Sequence, residues 1–119
     1  MDLDLARSEI SYTITLDVNH AKRYHLAMIK SFKSPDTEAL AKGLLVKRFA
    51  SVVAVARRKL RQLQIAEVLE DLRVPPGNRL EALRGDRAGQ FSIRVNDQYR
   101  VCFRWTSSSA EDVEIVDYH

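Results

Sequence analysis

The sequence contains a single cysteine, Cys102, and no long apolar run. One cysteine excludes a disulfide within the chain and suits a reducing cytoplasm. No apolar stretch approaches the roughly 20 residues that a membrane-spanning helix needs. The N-terminus also lacks the basic-then-apolar layout of a secretory signal peptide. The sequence therefore predicts a cytoplasmic protein that has no membrane partner.

Several catalytic motifs are missing as well. There is no phosphate-binding G-x-x-x-x-G-K-[ST] loop, no H-E-x-x-H, no paired C-x-x-C and no G-x-S-x-G. Two of the three histidines, His20 and His25, lie five positions apart without other ligand types nearby. The sequence therefore predicts neither a metal site nor a cofactor.

The length and charge indicate one soluble domain. A chain of 119 residues with 45% apolar and 29% charged residues can bury a single core. The net charge is only +3, but the pI near 9.2 favours anionic partners. Three basic and four acidic residues fall in residues 1–27, so the basic excess lies in residues 28–119.

Residues 1–27 are predicted to be a loosely attached extension or a misplaced start, because nothing downstream requires them and a second methionine follows at Met28. The alternative is an extra strand or arm that packs on the domain, since four apolar residues alternate there: Tyr12, Ile14, Leu16 and Val18. The predicted domain spans residues 28–119.

A β-hairpin is predicted around a short polar break, Asn96-Asp97-Gln98. Apolar residues alternate on both sides of this break, which is the period of a half-buried strand. A two-residue turn would mix the faces, whereas a three-residue turn matches apolar with apolar residues. The pairs are then Val95 with Tyr99, Ile93 with Val101, and Phe91 with Phe103.

This register places Arg94 directly opposite Arg100 on the other face of the hairpin, with Arg104 further along the same side. Like charges opposed across two strands destabilise by up to about 1 kcal/mol. A fold can tolerate this destabilisation if the arginine face binds an anion. The alternative is that all three arginines are solvated or paired with acids.

The remaining pattern predicts an α+β fold in the order β-α-α-β-β-β-β, an antiparallel sheet with two N-terminal helices packed on one side. Ser34 and Pro35 mark a helix start, and Gly43 ends that helix. The other predicted elements are a strand at 28–33, a helix at about 47–63, a helical turn at 67–72, and strands at 79–84, 91–95, 99–105 and 112–116.

Two features of this pattern leave alternatives open. The longer helix carries basic residues on its other faces, which either are solvated or contact nucleic acid or an acidic partner: Lys47, Arg48, Arg57, Arg58, Lys59 and Arg61. The chain closes on Asp117-Tyr118-His119, which is either a frayed tail or a functional terminus.

Four segments resemble the HigB-type toxins of the RelE/ParE superfamily, the killer component of bacterial toxin–antitoxin pairs. They are M-I-K-S-F at 28–32, N-R-L-E-A-L-R-G-D-R-A-G at 78–89, S-I-R-V-N-D-Q-Y-R-V-C-F at 92–103 and V-D-Y-H at 116–119. The resemblance implies a RelE-like fold and a metal-independent, ribosome-dependent mRNA endonuclease. It also implies entry into the small-subunit decoding site and silencing by a HigA-like helix-turn-helix antitoxin.

In such toxins the 2′-hydroxyl of the RNA attacks the adjacent phosphate and leaves a 2′,3′-cyclic phosphate. By resemblance His119 transfers a proton, Tyr118 orients or stacks on a nucleotide, and Asp117 positions this terminal pair. Arg84 and Arg100 are expected to stabilise phosphate charge. The full prediction names His119, Tyr118, Arg84 and Glu81 as catalytic, and Arg100, Arg94, Arg79, Arg87 and Asp117 as RNA- or phosphate-binding.

The chain departs from the family pattern at two positions. Many relatives carry histidine where this chain has Glu81, and lysine where it has Arg84. Glu81 either replaces that histidine as a base or leaves a weaker site, and arginine cannot deprotonate usefully. We therefore expect a slower toxin than the histidine–lysine versions.

A second class of function is a non-catalytic binding module, either a ParE-like inhibitor of a protein target such as gyrase or a toxin fold that only binds its antitoxin. A third class is a basic RNA-binding domain without turnover. ParE-type chains generally lack the closing Tyr-His, so the resemblance at 116–119 favours the nuclease.

Overall fold

A computed structural model of the chain describes residues 28–118, which form an α+β domain. It contains two α-helices and a four-stranded antiparallel sheet, in agreement with the predicted class. The predicted extension at residues 1–27 lies outside the described residues, as does His119.

Helix α1, Pro35–Ala41, begins and ends where the sequence predicts. The Ser34 hydroxyl caps its start by accepting a hydrogen bond from the Thr37 N–H at 3.3 Å. Gly43 follows the last turn with a φ of +93°, a backbone conformation that glycine adopts without steric cost.

Helix α2, Val53–Ile65, continues directly from a 3₁₀ segment at Lys47–Val52. Together they cover the single helix predicted at about 47–63. In its predicted apolar stripe Val53 is partly buried, and the other five residues are buried: Phe49, Val52, Ala56, Leu60 and Leu63. The assignment of Lys59 to the exposed basic face is wrong, because its side chain is only 7% exposed. Lys59 lies three residues after Ala56 and four before Leu63, spacings that place it beside the core stripe.

The sheet has the strand order β1-β2-β3-β4, with every neighbouring pair antiparallel. The strands are β1 at Glu81–Ala82, β2 at Phe91–Arg94, β3 at Tyr99–Thr106 and β4 at Ser109–Asp117. Strand β1 has only two residues, far fewer than the predicted 79–84. The strand predicted at 28–33 is reduced to one parallel bridge between Phe32 and Val113. Backbone hydrogen bonds still hold this segment beside β4: the Lys30 N–H donates to the Ala110 carbonyl and the Lys33 N–H to the Val113 carbonyl.

The predicted hairpin register is confirmed. Phe91 pairs with Phe103, Ile93 with Val101, and Arg94 with Arg100. The Asn96 side chain stabilises the three-residue turn, because its Oδ1 accepts hydrogen bonds from the Gln98 N–H at 2.9 Å and the Tyr99 N–H at 2.7 Å.

The core lies between the helices and one face of the sheet. Fully buried Phe49 meets the Tyr99 ring edge-on at a centroid distance of 5.6 Å. Ile93, Val101 and Phe103 point to the same side and are fully buried. The helices therefore leave the opposite face of the sheet to polar side chains. Within the described part of the chain, no helix has the length and apolar character needed to cross a membrane.

Cys102 is expected to make stability fall at alkaline pH. Its side chain is fully buried in β3, and burial raises the pKa of the thiol above its ordinary value of 9.0. The unfolded chain therefore ionises this thiol first. The contribution to stability is complete below pH 9 and is lost as the pH rises through the folded-state pKa. The variant Cys102→Ala should lose less free energy of unfolding than the wild type between pH 8 and about 11.

Urea denaturation at a series of pH values measures this difference. Loss of the sulfur should itself lower the free energy of unfolding by about 1 kcal/mol at neutral pH. Burial lowers the pKa of Lys59, and this lysine titrates in both chains, so its effect cancels in the comparison. Two parallel curves of stability against pH would contradict the prediction.

Candidate functional site

The face of the sheet that the helices leave open is organised in rows of paired residues. One row crosses the sheet through Glu81, Ser92, Cys102 and Glu114. The next row contains Arg94, Arg100 and Val116. Paired residues project to the same face of a sheet, so the rows bring polar side chains from all four strands together.

The Arg100 guanidinium is held in place on this face by hydrogen bonds. The side chain is largely buried, with the residue only 9% exposed. Its Nε donates to the Ser92 Oγ at 2.8 Å, and its Nη2 donates to the Arg79 carbonyl at 2.7 Å. The Glu81 Oε1 lies 4.0 Å from the same Nη2. These bonds hold the guanidinium plane from two directions.

Tyr118 lies over this guanidinium. Its ring centroid is 5.6 Å from the Arg100 Cζ, within the range of a cation–π contact, and the residue is 40% exposed. The Tyr118 N–H donates to the Gln98 carbonyl, so the end of β4 is tied to the hairpin turn. Tyr118 is therefore anchored beside Arg100, while the predicted proton donor His119 lies outside the described residues.

The side chains of Asp117 and Tyr118 lie on opposite faces of the sheet. Asp117 pairs with Tyr99, whose side chain lies on the helix side of the sheet, and accepts a hydrogen bond from Gln98 Nε2 at 3.1 Å. Alternation along β4 thus sends Asp117 and Tyr118 to opposite faces. The structure places Asp117 beside the turn and Tyr118 beside the arginine.

Arg84 precedes a short 3₁₀ turn, Gly85–Arg87, and Arg87 is its last residue. The Arg87 Nη1 donates to Gln90 Oε1 at 3.0 Å and to Glu114 Oε1 at 3.4 Å, so an acid already offsets its charge. Arg84 is exposed, and its guanidinium makes no hydrogen bond or ion pair within residues 28–118. Of the two, Arg84 is the one available to a ligand.

The sequence left open whether the three hairpin arginines bind an anion or are solvated or paired with acids. The structure gives different answers for different arginines. Arg94 forms an ion pair with Asp97, and Arg104 lies 3.7 Å from the Asp112 carboxylate. Arg100 instead has neutral oxygens as hydrogen-bond partners, and its nearest carboxylate is at the 4.0 Å limit. Two of the three charges are therefore paired with acids, and Arg100 keeps most of its charge uncompensated.

Ser92 and Gln98 were missed by the sequence analysis. Ser92 is a fully buried polar residue on a strand, and the predicted alternation already placed it two positions before Arg94, on the same face of the sheet. The predicted register could therefore have identified Ser92 as a residue of the arginine face. Nothing in the alternation indicated that Gln98, a turn residue, would bind both Asp117 and the backbone of Tyr118.

Ser92→Ala is expected to lower the free energy of unfolding by about 2 kcal/mol, because a hydrogen bond to a buried charged group is lost. Urea denaturation at neutral pH measures the change. Ser109→Ala is the matched control: Ser109 is on β4, and its hydroxyl makes no hydrogen bond with a described residue. Equal losses in the two variants would show that the Ser92–Arg100 bond contributes nothing specific.

The site brings together a fixed guanidinium, an aromatic ring and a carboxylate. A guanidinium binds a phosphate through two parallel hydrogen bonds. An exposed ring offers a surface on which a base can stack. Within residues 28–118 there is no histidine, and the Glu81 carboxylate is the described proton acceptor beside Arg100. This chemistry suits an RNA backbone with an unstacked base.

Comparisons with known proteins point in the same direction. Residues 46–119 match the family model described as a RelE-like toxin of the type II toxin–antitoxin system HigB. The chain is similar to Toxin HigB-1 of Vibrio cholerae, with 53% identity over 53 residues, which cover 44% of this chain and 56% of that one.

Two further likenesses are weaker. An uncharacterised protein of Haemophilus influenzae is 34% identical over 64 residues, which cover 54% of this chain and 63% of that protein. The chain therefore spans less than two thirds of each of these two relatives. A chain of the YoeB-YefM complex from Staphylococcus aureus superposes with a TM-score of 0.47 and 18% identity, over 78% of this chain and 99% of that one.

Proposed function

The chain belongs to the HigB-like family of RelE-like toxins, and from this premise we propose that it is a ribosome-dependent mRNA endonuclease that inhibits translation. The toxin domain comprises residues 28–119 and acts in the cytoplasm. Its activity needs no metal ion. Residues 1–27 are an extension outside the catalytic unit.

The observation that supports this activity is the position of the Arg100 guanidinium, which lies beneath the Tyr118 ring and beside the Glu81 carboxylate. A phosphate that reaches Arg100 would have an aromatic surface above it for the neighbouring base. Stacking of one base on an aromatic ring contributes about 1–3 kcal/mol. The same phosphate would lie close to a carboxylate that can accept a proton.

The proposed reaction begins when the ribose 2′-oxygen attacks the adjacent phosphorus and its proton passes to Glu81. The negative charge that builds on the phosphorane oxygens is stabilised by Arg100, with Arg84 as a second cation. The bond from phosphorus to the 5′-oxygen then breaks, and His119 protonates that oxygen. The products are a 2′,3′-cyclic phosphate and a free 5′-hydroxyl.

In this scheme the remaining candidate residues bind or position the RNA. Exposed Arg79 contacts a phosphate beside the scissile one, whereas Arg87 and Arg94 reach flanking phosphates only by leaving Glu114 and Asp97. Asp117 positions the terminal pair through Gln98. The partners are the ribosomal decoding site with its bound message and a HigA-like helix-turn-helix antitoxin. Support for the antitoxin comes from the toxin–antitoxin description of the family.

Cleavage of a message on programmed ribosomes tests this function. We expect cuts only when ribosomes are present, 2′,3′-cyclic phosphate at the new 3′ ends, and unchanged rates in excess EDTA. The same RNA without ribosomes is the control. Growth arrest without RNA cleavage would instead support the non-catalytic binding module, and cleavage of free RNA would remove the dependence on the ribosome.

The double variant Glu81→His, Arg84→Lys is expected to raise the rate of cleavage about tenfold. It restores the residue types that many relatives carry, and imidazole is a better proton carrier near pH 7 than a carboxylate. Single-turnover cleavage on ribosomes measures the rate. An unchanged or slower double variant would show that Glu81 and Arg84 already serve this chain as well as the family pair.

A further inference from the structure

Lys59 on helix α2 occupies a position where a charge is costly. The residue is 7% exposed, and no carboxylate lies within ion-pair distance of its ammonium among residues 28–118. Its Nζ donates to the Asn78 Oδ1 at 2.6 Å. An apolar pair in place of Lys59 and Asn78 would avoid this desolvation cost, so the buried polar pair needs a reason beyond packing.

Asn78, the partner of this lysine, is fully buried and ties three segments together. Its Nδ2 donates to Gln62 Oε1 at 2.9 Å and to the carbonyls of Leu72 at 3.0 Å and Val74 at 3.4 Å. An ammonium can only donate hydrogen bonds. Lys59 therefore favours one orientation of the amide, with the oxygen toward its ammonium and the nitrogen toward Gln62 and the two carbonyls.

Arg79 follows Asn78 directly and connects it to the site. Its backbone has a φ of 47° and a ψ of 56°, a left-handed conformation that costs a residue other than glycine free energy. Its N–H donates to the Pro76 carbonyl at 3.1 Å, and its own carbonyl accepts the Arg100 Nη2 at 2.7 Å. The anchored amide of Asn78 thus keeps this carbonyl aimed at Arg100.

We propose that Lys59 and Asn78 are positioning residues that act through the Arg79 carbonyl to set the orientation of the Arg100 guanidinium. This inference rests on the proposed function for its effect on cleavage. Without the Lys59 donor the buried Asn78 oxygen loses its partner, so the amide can shift from its present position. Arg79 can then leave its strained conformation, and Arg100 keeps Ser92 as its remaining hydrogen-bond partner. A guanidinium that is misplaced by about 1 Å can slow the reaction about 100-fold.

The first experiment compares Lys59→Met with the full-length wild-type chain. We expect kcat on programmed ribosomes to fall about 10- to 100-fold, with a smaller change in KM. In NMR spectra the Nη signals of Arg100 should be separate in the wild type and averaged in the variant, because the guanidinium then rotates about the Nε–Cζ bond. Arg100→Lys assigns those signals by removing them.

Two controls separate positioning from charge and from stability. Arg58→Met removes a neighbouring exposed cation whose guanidinium has no partner among the described residues. Val52→Ala weakens the core that Lys59 borders, and its Tm provides the comparison for a purely structural loss. Both controls should keep separate Nη signals and near-normal kcat. An equal loss of kcat in Val52→Ala at a matched Tm would overturn the proposal.

Two substitutions of exposed Arg79 test the proposal even if Lys59→Met fails to fold. Arg79→Gly and Arg79→Val remove the same side chain, but glycine adopts the left-handed conformation freely and valine strongly resists it. The valine variant should cleave about tenfold more slowly than the glycine variant and show averaged Nη signals. Equal rates and equal spectra would overturn the proposal. If the wild type cleaves no RNA, the proposed function fails, while the NMR comparison still decides how Arg100 is oriented.

Discussion

Replacing Arg100 with alanine should lower kcat for cleavage on ribosomes about 100- to 1000-fold, the usual cost of removing a preorganised group that stabilises transition-state charge. The Arg100 guanidinium is already fixed by Ser92 and by the Arg79 carbonyl before substrate binds, so little reorganisation accompanies charge development. Single-turnover cleavage at saturating ribosome concentration measures the chemical step. KM should change less than kcat.

Arg100→Lys distinguishes geometry from charge. Lysine keeps the positive charge but cannot donate to Ser92 and Arg79 from one rigid plane, so it should recover less than about a tenth of the wild-type rate. Arg61→Ala is the charge control, because Arg61 is exposed on helix α2 and makes no side-chain contact with a charged group among the described residues. Full activity in Arg100→Lys would show that the site requires a cation and no particular orientation.

The local pattern of the sequence was sufficient to predict the hairpin that carries Arg100. A shift of one residue would have moved every apolar side chain of β2 and β3 to the wrong face, so only one register was compatible with the alternation. Ser34 and Pro35 were equally decisive for helix α1, since capping depends on residues close in sequence. Elements set by short-range chemistry were therefore predicted with accurate boundaries.

Features that depend on distant contacts were not predicted. The parallel bridge between Phe32 and Val113 joins residues 81 positions apart, and periodicity contains no information about such pairing. The burial of Lys59 also depends on the distant amide of Asn78, which supplies the acceptor that makes a core lysine tolerable. In the candidate site, the alternation predicted that Arg94 and Arg100 share a face. It did not predict that Arg94 is paired with an acid, nor that Arg100 is held by neutral oxygens.

His119→Ala should lower kcat by about 100- to 10,000-fold, the contribution expected from one general acid. The leaving 5′-oxygen needs a proton, and the arginines of the site cannot supply one near neutral pH. An unperturbed imidazole titrates near pH 6.5, so the wild-type rate should fall as the pH rises above that range and the variant should lose this dependence. Single-turnover rates between pH 5 and 9 measure both effects.

His25→Ala is the matched control, because it removes an imidazole from the segment that we assign to the extension; its cleavage rate should match the wild type. In growing cells, His119→Ala and His25→Ala also distinguish a nuclease from a module that acts only by binding. A nuclease loses both growth arrest and ribosome-bound cleavage when His119 is replaced, since both depend on the one proton transfer. A module that acts only by binding keeps its growth arrest, because the sheet face with Arg100 and Tyr118 remains unchanged. Growth arrest by His119→Ala at wild-type strength would therefore argue against nuclease action.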